Sequence, residues 1–178
     1  MDRLRFGVLL GLCLVMLTLE ARPLTAADVP KPLEPWVGWV LKGHEERTCP
    51  FLYNSFEHHR CAWPTQLELE LNQSEGTFVQ RWQVYAESWV KLPGDQNHWP
   101  QDITLNGKPV PVLEREGRPA LSLVPGKHVL RGHFFWERLP ESIAIPPDTG
   151  IVALKINGKS VAYPYIKGQS RISPILQK

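Results

Sequence analysis

The sequence has no surplus of charge of either sign. Its 178 residues hold 20 Lys+Arg against 18 Asp+Glu, a formal net charge of +2. A basic stripe of the kind that neutralises phosphates is missing, so no nucleic-acid partner is expected. Cysteine is scarce, with three residues in all. Several catalytic patterns are absent too. No GxSxG nucleophile elbow, HExxH pair, P-loop or GxGxxG loop occurs, so no sequence motif points to a hydrolase, a zinc protease or a nucleotide enzyme. No cofactor and no metal are implied. What the chain does have is 17 prolines, 13 glycines and 7 tryptophans. Prolines at that density do not fit long helices, which excludes an all-α bundle and favours a many-turned β-protein.

Only one long apolar run occurs, and it is at the start. Arg3 and Arg5 precede Phe6–Leu19, 14 apolar or small residues, and Ala21 and Thr25-Ala26-Ala27 follow. A basic start, a short apolar core and a small-residue exit describe a secretory signal peptide. A membrane-spanning helix needs about 20 apolar residues, so this run is too short. Cleavage is expected after Ala27, with Ala21 as second choice. An uncleaved N-terminal anchor is the competing reading. Bulky Leu12 argues against a lipoprotein site at Cys13. The mature part would carry 17 basic and 16 acidic residues and no membrane span. The expected localisation is exported: periplasmic or associated with the cell envelope.

Cys13 would leave with the signal, which leaves Cys49 and Cys61. Two cysteines in an oxidising compartment read as one disulfide, worth about 3 kcal/mol in the chain-entropy model. His44, His58 and His59 lie close enough in sequence to suggest a metal site instead. Zinc requires four well-spaced ligands, however, and no CxxC or HxxxH occurs. His58 and His59 are expected in an exposed loop.

The remaining chain is punctuated by turns. Pro35–Gly43 suits a short helix, with Pro35 in the first turn, Gly43 after the end, and Trp36, Trp39 and Val40 on one face. Residues 28–65 therefore read as a helix and a disulfide-pinned loop. From Gln66 the period becomes two. Leu67, Leu69 and Leu71 alternate with Glu68, Glu70 and Asn72, a half-buried strand. Further strands are expected at Thr77–Ala86, Trp89–Leu92 and His128–Trp136. Hairpins are expected at Asn106-Gly107, Glu116-Gly117 and Asn157-Gly158, the first and last with the dipeptide that favours type I′ turns. Eight to ten short strands at this spacing indicate an antiparallel β-sandwich, jelly-roll or Ig-like, over residues 66–163. Residues 164–178 lose the alternation and read as a tail or as the start of a downstream region.

Candidate chemistry is sparse. Carboxylates at Glu68, Glu70, Asp95, Glu114 and Glu116 could be paired only by the fold, and Glu68 and Glu70 fit a solvated strand face. The tryptophans offer more, because an indole can stack on the C–H face of a sugar while Asp, Asn or Gln bond its hydroxyls. Trp99, among Asp95, Asn97 and His98, is expected to be the most exposed, with Trp63 beside the disulfide loop as the second platform. Trp82 and Trp136, inside strands, are expected in the core. Asn72-Gln73-Ser74 matches the N-glycosylation acceptor pattern near a turn, which matters only in a eukaryotic secretory pathway.

Several short segments form a recognisable set: Leu33–Leu41 (LEPWVGWVL), Cys49-Pro50, Cys61–Pro64 (CAWP), Leu92–Asp95 (LPGD) with Trp99-Pro100, and Gly126-Lys-His128 followed by Gly132 and Trp136–Pro140 (WERLP). Over residues 30–163 this set resembles the N-terminal region of large exported envelope proteins of Gram-negative bacteria. That resemblance implies further β-rich domains downstream, which would make a chain stopping at Lys178 a shortened version. The run Ile103–Trp136 also resembles, at fold level, the β-sandwich accessory modules of bacterial glycosidases. The combined expectation is an exported, non-enzymatic interaction or structural module. Its partners would be other envelope proteins, downstream domains of the same polypeptide, or a polysaccharide. The alternative is a carbohydrate-binding module using Trp99 and Trp63, and the distant one a hydrolase assembled from separate loops.

Overall fold

A computed structural model describes residues 29–52, 55–168 and 170–174. The segment 1–27 expected to be a signal peptide lies outside the described residues, as does the end of the expected tail from residue 175. The chain divides into two compact units, with the boundary between Lys42 and Gly43. In the first, a 3₁₀ turn at Lys31–Leu33 leads into α1, Glu34–Val40. Pro35 sits in the first turn, where a missing N–H costs nothing. The i, i+3 spacing brings Trp36 and Trp39 edge to face, with ring centroids 6.2 Å apart, and no residue of α1 is buried.

The second unit is all-β. Its strands are, in chain order, β1 Phe51–Leu52, β2 Ser55–His59, β3 Ala62–Leu71, β4 Glu75–Val84 and β5 Ser88–Lys91. There follow β6 Gln101–Leu105, β7 Lys108–Pro109, β8 Leu113–Arg115, β9 Arg118–Leu123 and β10 Gly126–Phe135. The last five are β11 Ile143–Ala144, β12 Ile151–Ile156, β13 Lys159–Val161, β14 Ile166–Lys167 and β15 Arg171–Ile172. A seven-stranded sheet runs in spatial order β13, β12, β3, β4, β10, β6, β7. Two three-stranded sheets, β5-β9-β8 and β11-β15-β14, accompany it, and β1 and β2 form a separate ribbon.

Alternation decides which face is inside. On β3 the side chains of Leu67, Leu69 and Leu71 are fully buried, and on β4 Phe78, Trp82 and Val84 are buried beside them. Leu130 and Phe134 of β10 continue the row, and Val90, Leu121, Leu123, Ile143 and Ile172 of the smaller sheets join the same cluster. One core is therefore shared between the large sheet and the small ones, the arrangement of a sandwich. Each fully buried Leu or Phe contributes roughly 1.5–3 kcal/mol to that core. The strand count, seven facing three and three, differs from the seven-stranded Ig constant domain and the eight-stranded jelly roll.

The three expected hairpins form. Asn106-Gly107, Glu116-Gly117 and Asn157-Gly158 all carry positive φ at both positions, as a type I′ turn requires. One expectation is refined and one corrected. The sandwich is antiparallel except that β12 lies parallel to β3, from Ile151 opposite Gln66 to Ile156 opposite Leu71. An alternating pattern marks the buried face but reads the same in either direction, so it carries no sign of strand polarity. The segment 44–65 is not simply a loop. It contains β1, β2 and the start of β3, and Pro64 is accommodated where the β3–β4 register shifts between Pro64 and Gln66. His58 and His59 consequently lie on β2.

Candidate functional site

Cys49 and Cys61 are joined by a disulfide, with Cα atoms 4.8 Å apart. His59 Nδ1 lies 2.7 Å from the Cys49 carbonyl oxygen, which ties the β1–β2 ribbon to the bridge. Among the described residues no group of three His, Cys, Asp or Glu is arranged to hold a metal ion. No described helix is long and apolar enough to cross a membrane.

An open cleft of about 620 Å³ lies in the second unit. Three separate segments line it: the 95–98 loop between β5 and β6, the 135–142 segment after β10, and Arg171 of β15. The loop folds tightly because Gly94 has φ +107°, and a Cβ there would stand 2.4 Å from the His98 carbonyl oxygen. Asp95 then organises the turn. Its Oδ1 accepts hydrogen bonds from the backbone N–H groups of Asn97 and His98, both at 3.1 Å. Its Oδ2 lies 3.2 Å from Arg171 Nη2, and Arg171 Nη1 donates to Ser142 Oγ at 3.2 Å. Asp95 is only 8% exposed, so this one carboxylate links the first cleft segment to the other two.

Arg118 braces the same loop. Its Nε donates to the Gly94 carbonyl at 2.9 Å, and Nη2 reaches the carbonyls of Leu92 and Ile145, each at 3.3 Å. Burial pulls the pKa of Arg118 below the ordinary guanidinium value, with the charge of Asp95 opposing and that of Arg171 reinforcing the shift.

The aromatic wall is Trp136. Its Nε1 donates to the Asn72 carbonyl at 3.1 Å, and its ring stacks on Phe134 with centroids 6.0 Å apart. The indole seats against Gly76, where a Cβ would meet Cη2 at 2.5 Å. His98 approaches the same ring edge-on at 6.4 Å. Its Nδ1 stands 3.4 Å from Asp95 Oδ1, an ion-pair distance if the ring is protonated, yet forms no hydrogen bond among the described residues.

Of the five residues expected from sequence to touch a ligand, the fold brings Asp95, Asn97 and His98 to this cleft. Trp99 and Trp63 are not part of its lining. Trp99 is half-buried and not the most exposed tryptophan: Trp39 and Trp36 of α1 are 73% and 60% exposed, and Trp89 on β5 is 47% exposed, with the Arg115 guanidinium 4.3 Å from its ring centroid. Trp63 is half-buried, donates its Nε1 to the Arg60 carbonyl at 2.8 Å and carries the Arg60 guanidinium 5.3 Å from its centroid. Trp82 is buried in the core, as expected. Trp136, expected in the core, is partly buried against it and also lines the cleft, which the sequence reading missed. The strand stops at Phe135, which leaves Trp136 as the first residue beyond it, before Glu137-Arg138-Leu139-Pro140. That charged, proline-closed exit was the available signal.

Beyond Asp95, three of the carboxylates considered for hydrolysis have other partners. Glu68 pairs with Arg81, Glu114 accepts from the Gly117 N–H, and Glu116 lies 2.7 Å from Lys91. Lys91 lowers the pKa of Glu116, first through that hydrogen bond and then through its charge.

No protein family matches the chain, and no curated protein matches it. Solved structures of M1 zinc metallopeptidases show a remote likeness. The enzyme from Deinococcus radiodurans is 11% identical with a TM-score of 0.36, over 65% of this chain and 38% of that one. A two-domain mutant bound to L-arginine is 10% identical with a TM-score of 0.36, over 65% and 39% of the two chains. This chain thus spans less than two-fifths of the length of those structures. A likeness at that level transfers neither activity nor site residues.

Proposed function

We propose that this chain is an exported, non-enzymatic interaction module of a Gram-negative cell envelope, and that it binds its partner through the cleft beside Trp136. The observation that carries the binding role is the wall of that cleft: Trp136 is locked by a hydrogen bond to Asn72, by stacking on Phe134 and by the bare Gly76. Ligand sites combine a rigid apolar surface with a few placed polar groups, and Asn97, Arg138 and Glu141 supply those here. Binding fits better than catalysis because the buried carboxylate is already engaged. Asp95 spends its oxygens on Asn97, His98 and Arg171, and Ser142 is held by Arg171.

Export is supported by the basic-apolar-small order of residues 1–27 and by the Cys49–Cys61 bridge, which persists in oxidising compartments. Expression of the full-length chain in a Gram-negative host tests it. A periplasmic product beginning at Asp28 is the expected result, and an intact chain retained in the cytoplasm sinks the idea. A hydrolase activity abolished by one carboxylate substitution would overturn the non-enzymatic part. Binding to envelope fractions, followed by tryptophan fluorescence, should weaken in Asn97→Ala and Glu141→Gln. Undiminished binding in both would remove the cleft from the proposal.

A further inference from the structure

The polar lining of the cleft carries more information than its shape. Three carboxylates, Asp95, Glu137 and Glu141, face two guanidinium groups, Arg138 and Arg171. Arg171 is already matched by Asp95. Among the described residues Glu137, Arg138 and Glu141 make no ion pair with a protein partner, although they are exposed neighbours along one segment. An anionic ligand needs donors alone and would meet a surplus of carboxylates. A polycation needs acceptors alone and would meet two arginines. A hydroxyl both donates and accepts, so a ligand rich in hydroxyls uses acceptors and donors side by side. Glu137, Arg138 and Glu141 alternate in that way, and Asn97 adds an amide with both functions. Beside them Trp136 gives an immobilised indole for a C–H-rich face.

We infer that the cleft is a subsite for an uncharged saccharide, which sets C–H groups against Trp136 and shares its hydroxyls between Asn97, Arg138 and Glu141. The inference rests on the reading of this cleft as the binding site. It replaces Trp99 and Trp63, the platforms expected from sequence, with one residue at the end of β10. Arg171 and Asp95 act as positioning residues, because they fix the loop that carries Asn97.

The test is a calorimetric titration of the processed chain with three probe sets. These are neutral gluco-, manno-, galacto- and xylo-oligosaccharides, an acidic oligoalginate, and tetralysine. At least one neutral oligosaccharide should bind, and Trp136→Ala should weaken it at least about tenfold. Asn97→Ala and Glu141→Gln, both on the exposed rim, should each weaken it about three- to tenfold. Trp89→Ala, on the small sheet, should leave it unchanged. Because Trp136→Ala can disturb the Phe134 stack, the two rim variants decide the case if that variant does not fold. Neutral sugar binding that is insensitive to both rim variants overturns the inference. Binding of oligoalginate or tetralysine alone, lost in the rim variants, overturns the saccharide class while leaving the cleft as the site. Binding of no probe overturns the inference, and undiminished binding of envelope fractions in the same variants would separately overturn the cleft.

Discussion

The sheet frame and the cleft come from one chain by different rules. Along β3, β4 and β10 each residue's surroundings follow from its position in the ladder. Leu67, Leu69 and Leu71 point inward while Glu68 and Glu70 point outward, and β10 pairs with β4 without a break from Gly126 opposite Val84 to Phe135 opposite Glu75. The cleft collects residues that no ladder relates. Asp95 meets Arg171, and Trp136 meets Asn72, 64 positions away. The frame spreads its stability over many apolar contacts, whereas the cleft hangs on a few polar ones. Damage to the first should therefore appear as lost stability, and damage to the second as lost binding.

The largest effect is expected in the frame. Leu69→Ala removes a fully buried side chain from the centre of the large sheet and should cost about 2–5 kcal/mol in urea unfolding. A loss well below that range would mean that the layers do not enclose Leu69. Reduction of Cys49–Cys61 comes next, at about 3 kcal/mol for a loop of this length. Unfolding with and without reductant measures it, and thiol labelling before and after reduction confirms that the bond was present.

The cleft should respond more weakly in stability and more strongly in function. Arg171→Ala leaves Asp95 without its guanidinium, but Arg171 is itself 48% exposed, so solvent screening limits the loss to about 1 kcal/mol. Binding at the cleft should fall several-fold in the same variant, and unaltered binding would show that the Asp95 clamp does not position the loop. The smallest effect is at Glu116 on the β8–β9 turn. Its pKa is lower in the folded chain than in the unfolded one, so the stabilisation is present above the unfolded carboxylate range and fades as pH falls through the folded pKa. The pair is solvent-exposed, so Lys91→Met should leave thermal stability at pH 7 nearly unchanged. It should also move the Glu116 titration, followed by NMR, back up towards the ordinary value.

The residues that could be read in advance are those whose environment depends on near neighbours. Asn106-Gly107 and Asn157-Gly158 announce their turns because few residues tolerate two successive positive φ values. The Leu67–Leu71 alternation announces its buried face. Asp95, Asn97 and His98 were legible as a polar loop because they are adjacent in sequence. Trp136 was marked only by the charged, proline-closed exit after it, because the alternation that identifies a buried strand position stops at the strand end. Trp99 failed in the opposite sense. Polar neighbours suggested exposure, but the loop folds back through Gly94 and leaves the ring half-buried.

By itself the sequence determined the class of the protein: an all-β chain, its turns, the cysteine pair available for bonding and the inward face of its principal strands. Each of these follows from local stereochemistry or a two-residue period, which operate over a few bonds. Tertiary structure alone decided that β12 runs parallel to β3, that Arg171 reaches Asp95 and that Trp136 borders the cleft. Those outcomes depend on which distant segments share the core, and burial of apolar area is non-directional, so no local pattern records which partner a segment will meet.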